Sequence, residues 1–297
     1  MRFAIRHLLY PVIAFVTLAY LWRELQLPLD LMGAHHGWFV GGMVVFLALI
    51  EASWPLEARW RMNRRSFFRR DLPFLAIGGA TIAAGNAAAA WALLRHGAAA
   101  PTNWLTDLPV VPAAITTLLI TDGLWYSVHR AAHEGTGPVG RWLWRMHAAH
   151  HLPAQVYVLM HAVAHPLNTV IVRLLLTVPP WLMGVRPEAL FLANVITGVQ
   201  GLVSHFNVDS RVGWLNRVLM GTELHRWHHA AGTLGNYGAV LSIWDQLFGS
   251  YVYRPGENPQ RLGIESPSSY PRDTEIWQVL REPFGLARRE NAQGSTQ

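Results

Sequence analysis

The 297-residue sequence contains no cysteine. That excludes disulfides, thiolate metal sites, cysteine nucleophiles and cysteine-held iron–sulfur clusters, and leaves the redox compartment undecided. Lysine is absent too. All 24 basic residues are arginine, a compositional bias to which no chemistry attaches. Charge of any kind is scarce: 14% of residues are charged and 52% are hydrophobic, whereas a soluble domain carries about 25% charged residues. The length would suit one large domain or two small ones, but low charge and long apolar runs favour a membrane protein. No HExxH occurs, so a zinc protease has no supporting motif, and no GxGxxG follows a strand, so there is no dinucleotide fingerprint. There is no internal repeat. The net charge of +6 fits cytoplasmic loops of a membrane protein better than nucleic-acid binding, and no nucleic-acid partner is expected.

The apolar runs predict about four long transmembrane helices. Leu8 to Leu21 follows Arg2 and Arg6 and lacks a small-residue cleavage site, so it reads as an uncleaved first span instead of a signal peptide. Trp38 to Ile50 is the second. Leu72 to Leu94 holds 23 residues without a charge, enough to cross about 30 Å of hydrocarbon. Leu108 to Thr121 continues through Asp122 to Val128 as the fourth, with a polar end. Pro166 to Val185 and Pro187 to Val203 are joined by the short turn GVRPE and interrupted by Arg173; they either cross the membrane or dip into it as a hairpin. The loop EARWRMNRRSFFRRD carries six arginines, at 59, 61, 64, 65, 69 and 70. By the positive-inside rule it is cytoplasmic, and everything after the fourth span then falls on the same side.

Eleven of the 15 histidines lie between His129 and His229. The other four, His7, His35, His36 and His96, sit near predicted membrane edges as exposed or interfacial rings. HRAAH gives His129 and His133. HAAHH gives His147, His150 and His151. HRWHH gives His225, His228 and His229. Residues three and four apart share a helix face, so each cluster can aim two or three ring nitrogens at one point. A metal ion needs ligands converging at about 2 Å. Burying so many imidazoles without partners in so apolar a chain would be costly. Eight histidines are too many for one ion; two ions, with oxygen ligands filling in, is the economical count. Imidazole suits iron, zinc, copper and nickel.

From Asp122 to Gly249, the stretches WYSVHRAAH, LWRMHAAHH, HP, HFNV, ELHRWHHA, NYG and WDQLFGS come in an order and spacing that resemble the fatty acid hydroxylase and sterol desaturase superfamily. The resemblance implies two metal ions, typically iron, with zinc an alternative in a purified sample. It implies use of O2 and two electrons on an unactivated C–H bond of a lipid. It also adds His205, in SHFNV, and His165, in AHPLN, as metal ligands; His161, four before His165, is a further candidate that the family does not usually have. Asn168 stands where the family often has an acid. Asp245, in WDQLFG, stands where it has an aspartate. Asn168, Asp209 and Asp245 are candidates to orient ligand rings through a second N–H; Glu134 and Glu223 are other acids near the clusters.

The expected architecture is therefore an all-α integral membrane protein. Residues 1–121 form the transmembrane helices and arginine-rich loop, 122–252 a catalytic domain, and 253–297 a polar C-terminal segment. A membrane hairpin and a cytoplasmic helical cap enclose a histidine-rich dimetal site. The expected activity is lipid hydroxylation with electrons from a separate redox protein, a ferredoxin or cytochrome, since the chain offers no place to store them. Arginines at 59 to 70, 141, 145 and 226 could steer an acidic carrier. Two alternatives stay open: lipid desaturation at the same site, and a histidine-lined metal transporter, which would want ionisable residues inside the spans.

Overall fold

Backbone N–H and C=O groups in hydrocarbon must be paired within the segment, so long apolar runs become helices. In the computed structural model, which describes residues 2–96, 102, 104–266 and 269–286, the long runs form α1 (Arg2–Glu24), α2 (His36–Ser53), α3 (Leu72–His96) and α4 (Val110–Glu134). Four stretches of helix are long and apolar enough to cross a membrane. Among the described residues there is no strand, only isolated bridges at Leu219–Leu241 and Ala230–Leu262. After α4 the described residues fold as α5 (Pro138–His151), α6 (Pro166–Leu182), α7 (Pro187–Ser204), α8 (Thr222–His228), α9 (Ile243–Leu247) and α10 (Ile276–Arg281), with short 3-10 turns between. Of the polar segment over 253–297, residues 267–268 and 287–297 lie outside the described residues.

The fourth run departs from its sequence boundaries in a useful way. Nothing between Pro112 and Gly135 breaks a helix except Gly123, so α4 continues past Val128 to Glu134. His129 and His133 thereby share one rigid rod with the apolar span. Proline at the first helical position opens α5, α6 and α7, where its missing N–H costs nothing. Neither α6, with 17 residues, nor α7 is among the four membrane-length helices.

Helix α4 packs against α5, α6 and α7, while α3 lies along α6 and α1 along α7. The outer faces of α1 and α2 expose Phe15, Leu18, Val45 and Leu49, a pattern suited to lipid instead of water. Their inner faces pack Leu9, Ile13, Met43 and Leu47 with Leu192, Val195 and Val199 of α7.

Two buried polar ties lock span to cap. The Glu51 carboxylate of α2 accepts from the Val158 N–H at 3.2 Å and the Asn207 N–H at 2.7 Å. At the foot of α3, buried Arg70 donates to Asp71 at 2.8 Å and also reaches Asp273 and the Tyr157 hydroxyl, which in turn donates to Asp71 at 2.6 Å. Arg70 is thus a structural cation, unlike its exposed neighbours Arg64, Arg65 and Arg69.

Candidate metal centre

Nine of the ten histidines expected as ligands converge. They do so as two groups: His129, His133, His147, His151 and His228 in one, and His150, His205, His225 and His229 in the other, with the ligand atoms of each within 4.8 Å of one another. Each HxxHH motif is divided between them. His147 and His151, four apart on α5, enter the first group while His150 enters the second. At α8 the division is reversed: His225 and His229 enter the second and His228 the first. Helix geometry explains this. Residues i and i+4 lie over one another, whereas i+3 is rotated to the far side of the same face.

For four of these rings, hydrogen bonds define which nitrogen carries the proton. His150 Nδ1 faces the Val163 carbonyl at 2.9 Å and His205 Nδ1 faces the Gly201 carbonyl at 2.7 Å. His129 Nδ1 faces the Tyr237 carbonyl at 2.7 Å and His228 Nδ1 the Gly235 carbonyl at 3.0 Å. A carbonyl only accepts, so these Nδ1 atoms bear the hydrogen, and in a neutral ring Nε2 then holds a lone pair. Yet His150 Nε2 and His205 Nε2 stand 2.9 Å apart. His205 to His225, His129 to His147, and His147 to His151 are similar Nε2 pairs at 3.0, 2.8 and 3.0 Å. For His150 and His205 no hydrogen is left to join the pair. Two lone pairs at that distance repel unless a cation lies between them. Nitrogens at about 2.1 Å from an ion and at right angles to each other are about 3.0 Å apart. The residues therefore fit metal ions.

Protonation does not offer another way out. Burial holds the His150 ring down at about 4 and the His228 ring at about 3. Burial, reinforced by the neighbouring imidazoles, holds His147, His151, His205, His225 and His229 well below the ordinary histidine range. Buried His133 Nε2, His225 Nδ1 and His229 Nδ1 have no hydrogen-bond partner.

His165 stands apart. Its Nδ1 accepts the Leu167 N–H at 3.1 Å and its Nε2 donates to the Leu280 carbonyl at 3.2 Å. It is the N-cap of α6, with Pro166 at the first helical position, and both nitrogens are engaged with backbone. His161 belongs to neither group; its ring centroid lies 5.2 Å from that of His205.

The expected orienting residues are placed differently from one another. Asn168 Oδ1 lies 3.4 Å from His147 Nδ1. Asp245 touches no histidine: it accepts from the N–H groups of Tyr237 and Gly238, at 2.8 and 3.0 Å, and from the Ser250 hydroxyl at 2.7 Å. It fixes the backbone whose Tyr237 carbonyl receives His129, so it acts through the loop. Asp209 is a partly exposed partner of Arg6 and Arg211, remote from any ligand ring. Glu223 receives the Val212 N–H and Asn216, and Glu134 pairs with Arg130 and the Tyr237 hydroxyl.

Asp122 was not among the acids singled out from sequence. Its carboxylate accepts three consecutive N–H groups, Ala239, Val240 and Leu241, at 3.0, 2.8 and 3.1 Å. With Asp245 it clamps the NYG turn to α4. Gly238 is obligatory there, since a Cβ would sit 2.0 Å from the Leu241 carbonyl oxygen. An acid inside an otherwise apolar run was the available signal.

A cavity of about 460 Å³ adjoins both groups, with His129, His147, His150, His205 and His225 in its wall. The remaining wall is mostly apolar and comes from α3, α4, α6 and α7, including Phe74, Ile82, Val172 and Leu176.

Comparison with known proteins agrees with this arrangement. The fatty acid hydroxylase family model matches residues 114–250, the stretch that carries both groups. The chain is 32% identical over 235 residues to the ornithine lipid hydroxylase OlsE of Rhizobium tropici, covering 74% of this chain and 68% of that one. It is 30% identical over 152 residues to a Dictyostelium discoideum protein named as a methylsterol monooxygenase, covering 48% and 54%. It is 30% identical over 165 residues to the fatty acid hydroxylase vlmA of a Lecanicillium species, covering 48% and 43%. No solved structure matches the chain.

Proposed function

Because the chain belongs to the fatty acid hydroxylase family, we propose that it is a membrane-bound oxidoreductase that hydroxylates an unactivated C–H bond of a lipid, with two iron ions, O2 and external electrons. The observation that carries this reading is the facing of unprotonated Nε2 atoms, His150 on His205 at 2.9 Å above all, beside an apolar cavity. The net change is R–H plus O2, two electrons and two protons, giving R–OH and water. Iron ions held by the two histidine groups would supply reductive activation of O2 and removal of the hydrogen atom.

The chain's own residues do the rest. His129, His133, His147, His151 and His228 would hold one ion, and His150, His205, His225 and His229 the other. Carbonyls of Val163, Gly201, Tyr237 and Gly235 set the ring tautomers, which keeps lone pairs aimed inward and raises ligand basicity. The apolar wall takes the lipid chain, excludes water and holds one carbon beside the ions. All nine rings would be neutral ligands, so two ions held there would keep a high positive charge and would favour anionic oxygen ligands.

The histidine region is assigned to the cytoplasmic side with the arginine loop. An acidic ferredoxin or cytochrome would deliver electrons there. Arg70 and Arg226 are not available for that docking: both are buried, and Arg226 donates to the Val208 carbonyl at 2.6 Å. The exposed arginines at 59, 61, 64, 65, 69 and 141 remain.

The test combines metal analysis of the purified protein with mass spectrometry of total lipids from cells with and without the gene. Two iron atoms per chain, lipid-dependent O2 uptake and a new lipid 16 mass units heavier are expected. Tightly held zinc with no O2 uptake, or a product two mass units lighter, would replace hydroxylation with another reading. A cysteine at Arg64, in a chain without any, should react only with a membrane-permeant reagent in intact cells.

A further inference from the structure

Among the described residues Arg173 has no counter-charge. It lies in the middle of α6, between Val170–Ile171–Val172 and Leu174–Leu175–Leu176. It is half-buried and forms part of the cavity wall. Its Nη2 donates to Asn86 Oδ1 of α3 at 3.1 Å. Among the described residues no carboxylate comes within ion-pair distance of it. A guanidinium has five N–H donors in a planar fork, and this one spends a single donor on a neutral amide. An ionised side chain in apolar surroundings is expensive and ordinarily paired.

The position is also informative. Asn86 lies one helical turn beyond Ile82, the last residue of α3 in the cavity wall. Arg173 and Asn86 therefore join α6 to α3 farther along the cavity than Asn168, where Ile82 and Leu176 also form its wall. Asn168, which touches His147, precedes Arg173 by five residues on the same helix, a rise of about 7.5 Å. Gly78 and Gly79 of α3 line the cavity with nothing within 4 Å of where a Cβ would stand, so the channel between the two ends is open.

We propose that Arg173, with Asn86, binds an anionic oxygen group, a carboxylate or a phosphate, of the lipid whose chain occupies the cavity. The proposal rests on the reading that the cavity takes a lipid substrate. Bidentate pairing to such a group supplies the missing counter-charge and uses the fork geometry that arginine is suited to. It also sets a ruler. The anion and the histidine groups lie on the order of 10 Å apart along α6. The oxidised carbon then falls within roughly eight chain bonds of the anionic group.

The test is binding to the purified, metal-loaded full chain in neutral detergent, followed by native mass spectrometry. The probes are palmitate and dipalmitoyl phosphatidic acid, with methyl palmitate and dipalmitoylglycerol as their uncharged counterparts. Arg173→Gln should weaken both anionic probes, or the one that carries the right source, at least tenfold, change the uncharged ones less than twofold and leave bound metal unaltered. Arg173→Lys should recover most of the loss, and Asn86→Leu should reproduce part of it. A larger loss for palmitate names a carboxylate ligand; a larger loss for phosphatidic acid names a phosphate. Equal anionic binding by wild type and Arg173→Gln overturns the proposal, and so does an equal loss of charged and uncharged probes, which would mark a packing role. Gly78→Leu separates the underlying reading: filling the channel should weaken every probe. If it weakens none, the cavity is not the lipid site and the proposed function falls with it.

Discussion

The two histidine groups share α5 and α8 but differ in their third source, α4 for the five and the end of α7 for the four, and they hold their rings differently. In the five-histidine group, His129, His147 and His228 each have Nδ1 against a fixed acceptor: the Tyr237 carbonyl, the Asn168 amide oxygen and the Gly235 carbonyl. Two of those acceptors, at Gly235 and Tyr237, belong to the loop whose Tyr237 and Gly238 N–H groups are held by Asp245. In the four-histidine group, His150 and His205 are anchored but His225 and His229 have buried Nδ1 atoms without partners. Outer partners orient ligand rings and their loss costs about 10–100-fold in metal affinity or activity. The difference makes the two positions inequivalent. On the proposed function, the four-histidine position offers fewer rings and two of them lack an Nδ1 partner, so an ion there should load last and empty first.

The largest expected effect comes from removing a ring. His147→Ala and His150→Ala should each reduce turnover well beyond the 100-fold that an outer partner is worth at about its upper limit. They should differ in metal content: His150→Ala should keep the five-histidine ion and bind one metal per chain, measured by elemental analysis. His165→Asn, which can still cap α6, should keep both. A His150→Ala protein with two metals would erase the distinction between the groups.

Acid should act next, and again unequally. In the metal-free protein the His150 ring is held at about 4 and the His228 ring at about 3, by burial, against about 6.5 for a free imidazole. As pH falls below about 6.5 the unfolded chain takes up protons that the folded rings refuse, so stability is lost progressively towards pH 4. His150 alone carries on the order of 3 kcal/mol of that loss. The melting temperature of the metal-free protein should therefore fall steadily between pH 7 and pH 4. Bound metal should leave the four-histidine position at the higher pH. A flat profile, or simultaneous release of both ions, would count against the asymmetry.

Much of this centre was legible because histidine spacing and helix period are local. HxxxH and HxxHH on predicted helices imply convergence before any tertiary contact is known. That i and i+4 part from i+3 follows from the helix period, but which group each side of an HxxHH joins was not legible, because it depends on which neighbouring helix faces it. His165 carried a readable cue: a residue just before a helix-opening proline is the N-cap, and an imidazole there is used as a cap. Asp209 could not be placed from sequence, since its partner Arg6 is 203 residues away. Asp122 was visible as an acid in an apolar run, and Glu51 follows directly on another, but their backbone partners in the cap were not visible. The helix boundaries of the spans were readable to within a few residues where proline or glycine marks them. In α4 the extension past Val128 to Glu134 lacks a hydrophobic signal and runs on because nothing before Gly135 breaks the helix.

Asp245→Asn sharpens the comparison at intermediate size. The substitution keeps shape but turns one carboxylate oxygen into an NH2 that cannot accept from the Tyr237 or Gly238 N–H. The loop that presents the Tyr237 carbonyl to His129 loosens, so metal affinity of the five-histidine group should drop about 10–100-fold while the other group is unaffected. Stepwise titration with a chelator would read this directly. In the wild type an ion at the four-histidine group should leave first; in Asp245→Asn the gap between the two steps should narrow or invert.

The smallest effect separates the backbone of Tyr237 from its side chain. The Tyr237 carbonyl holds His129 at 2.7 Å, but its hydroxyl donates to Glu134 at 2.9 Å, a partly exposed carboxylate paired with Arg130. Tyr237→Phe removes that one hydrogen bond and leaves the carbonyl, the ring packing against His129 and His133, and the Asp245 clamp in place. A single neutral donor to a carboxylate contributes about 1–2 kcal/mol to stability, and Arg130 stays to satisfy Glu134. The variant should therefore unfold slightly more easily and retain two metals, with turnover within about threefold of wild type, a change under 1 kcal/mol. If instead it loses the five-histidine ion, the anchoring runs through the phenol and Glu134, and the order of the two groups must be argued from that pair of side chains.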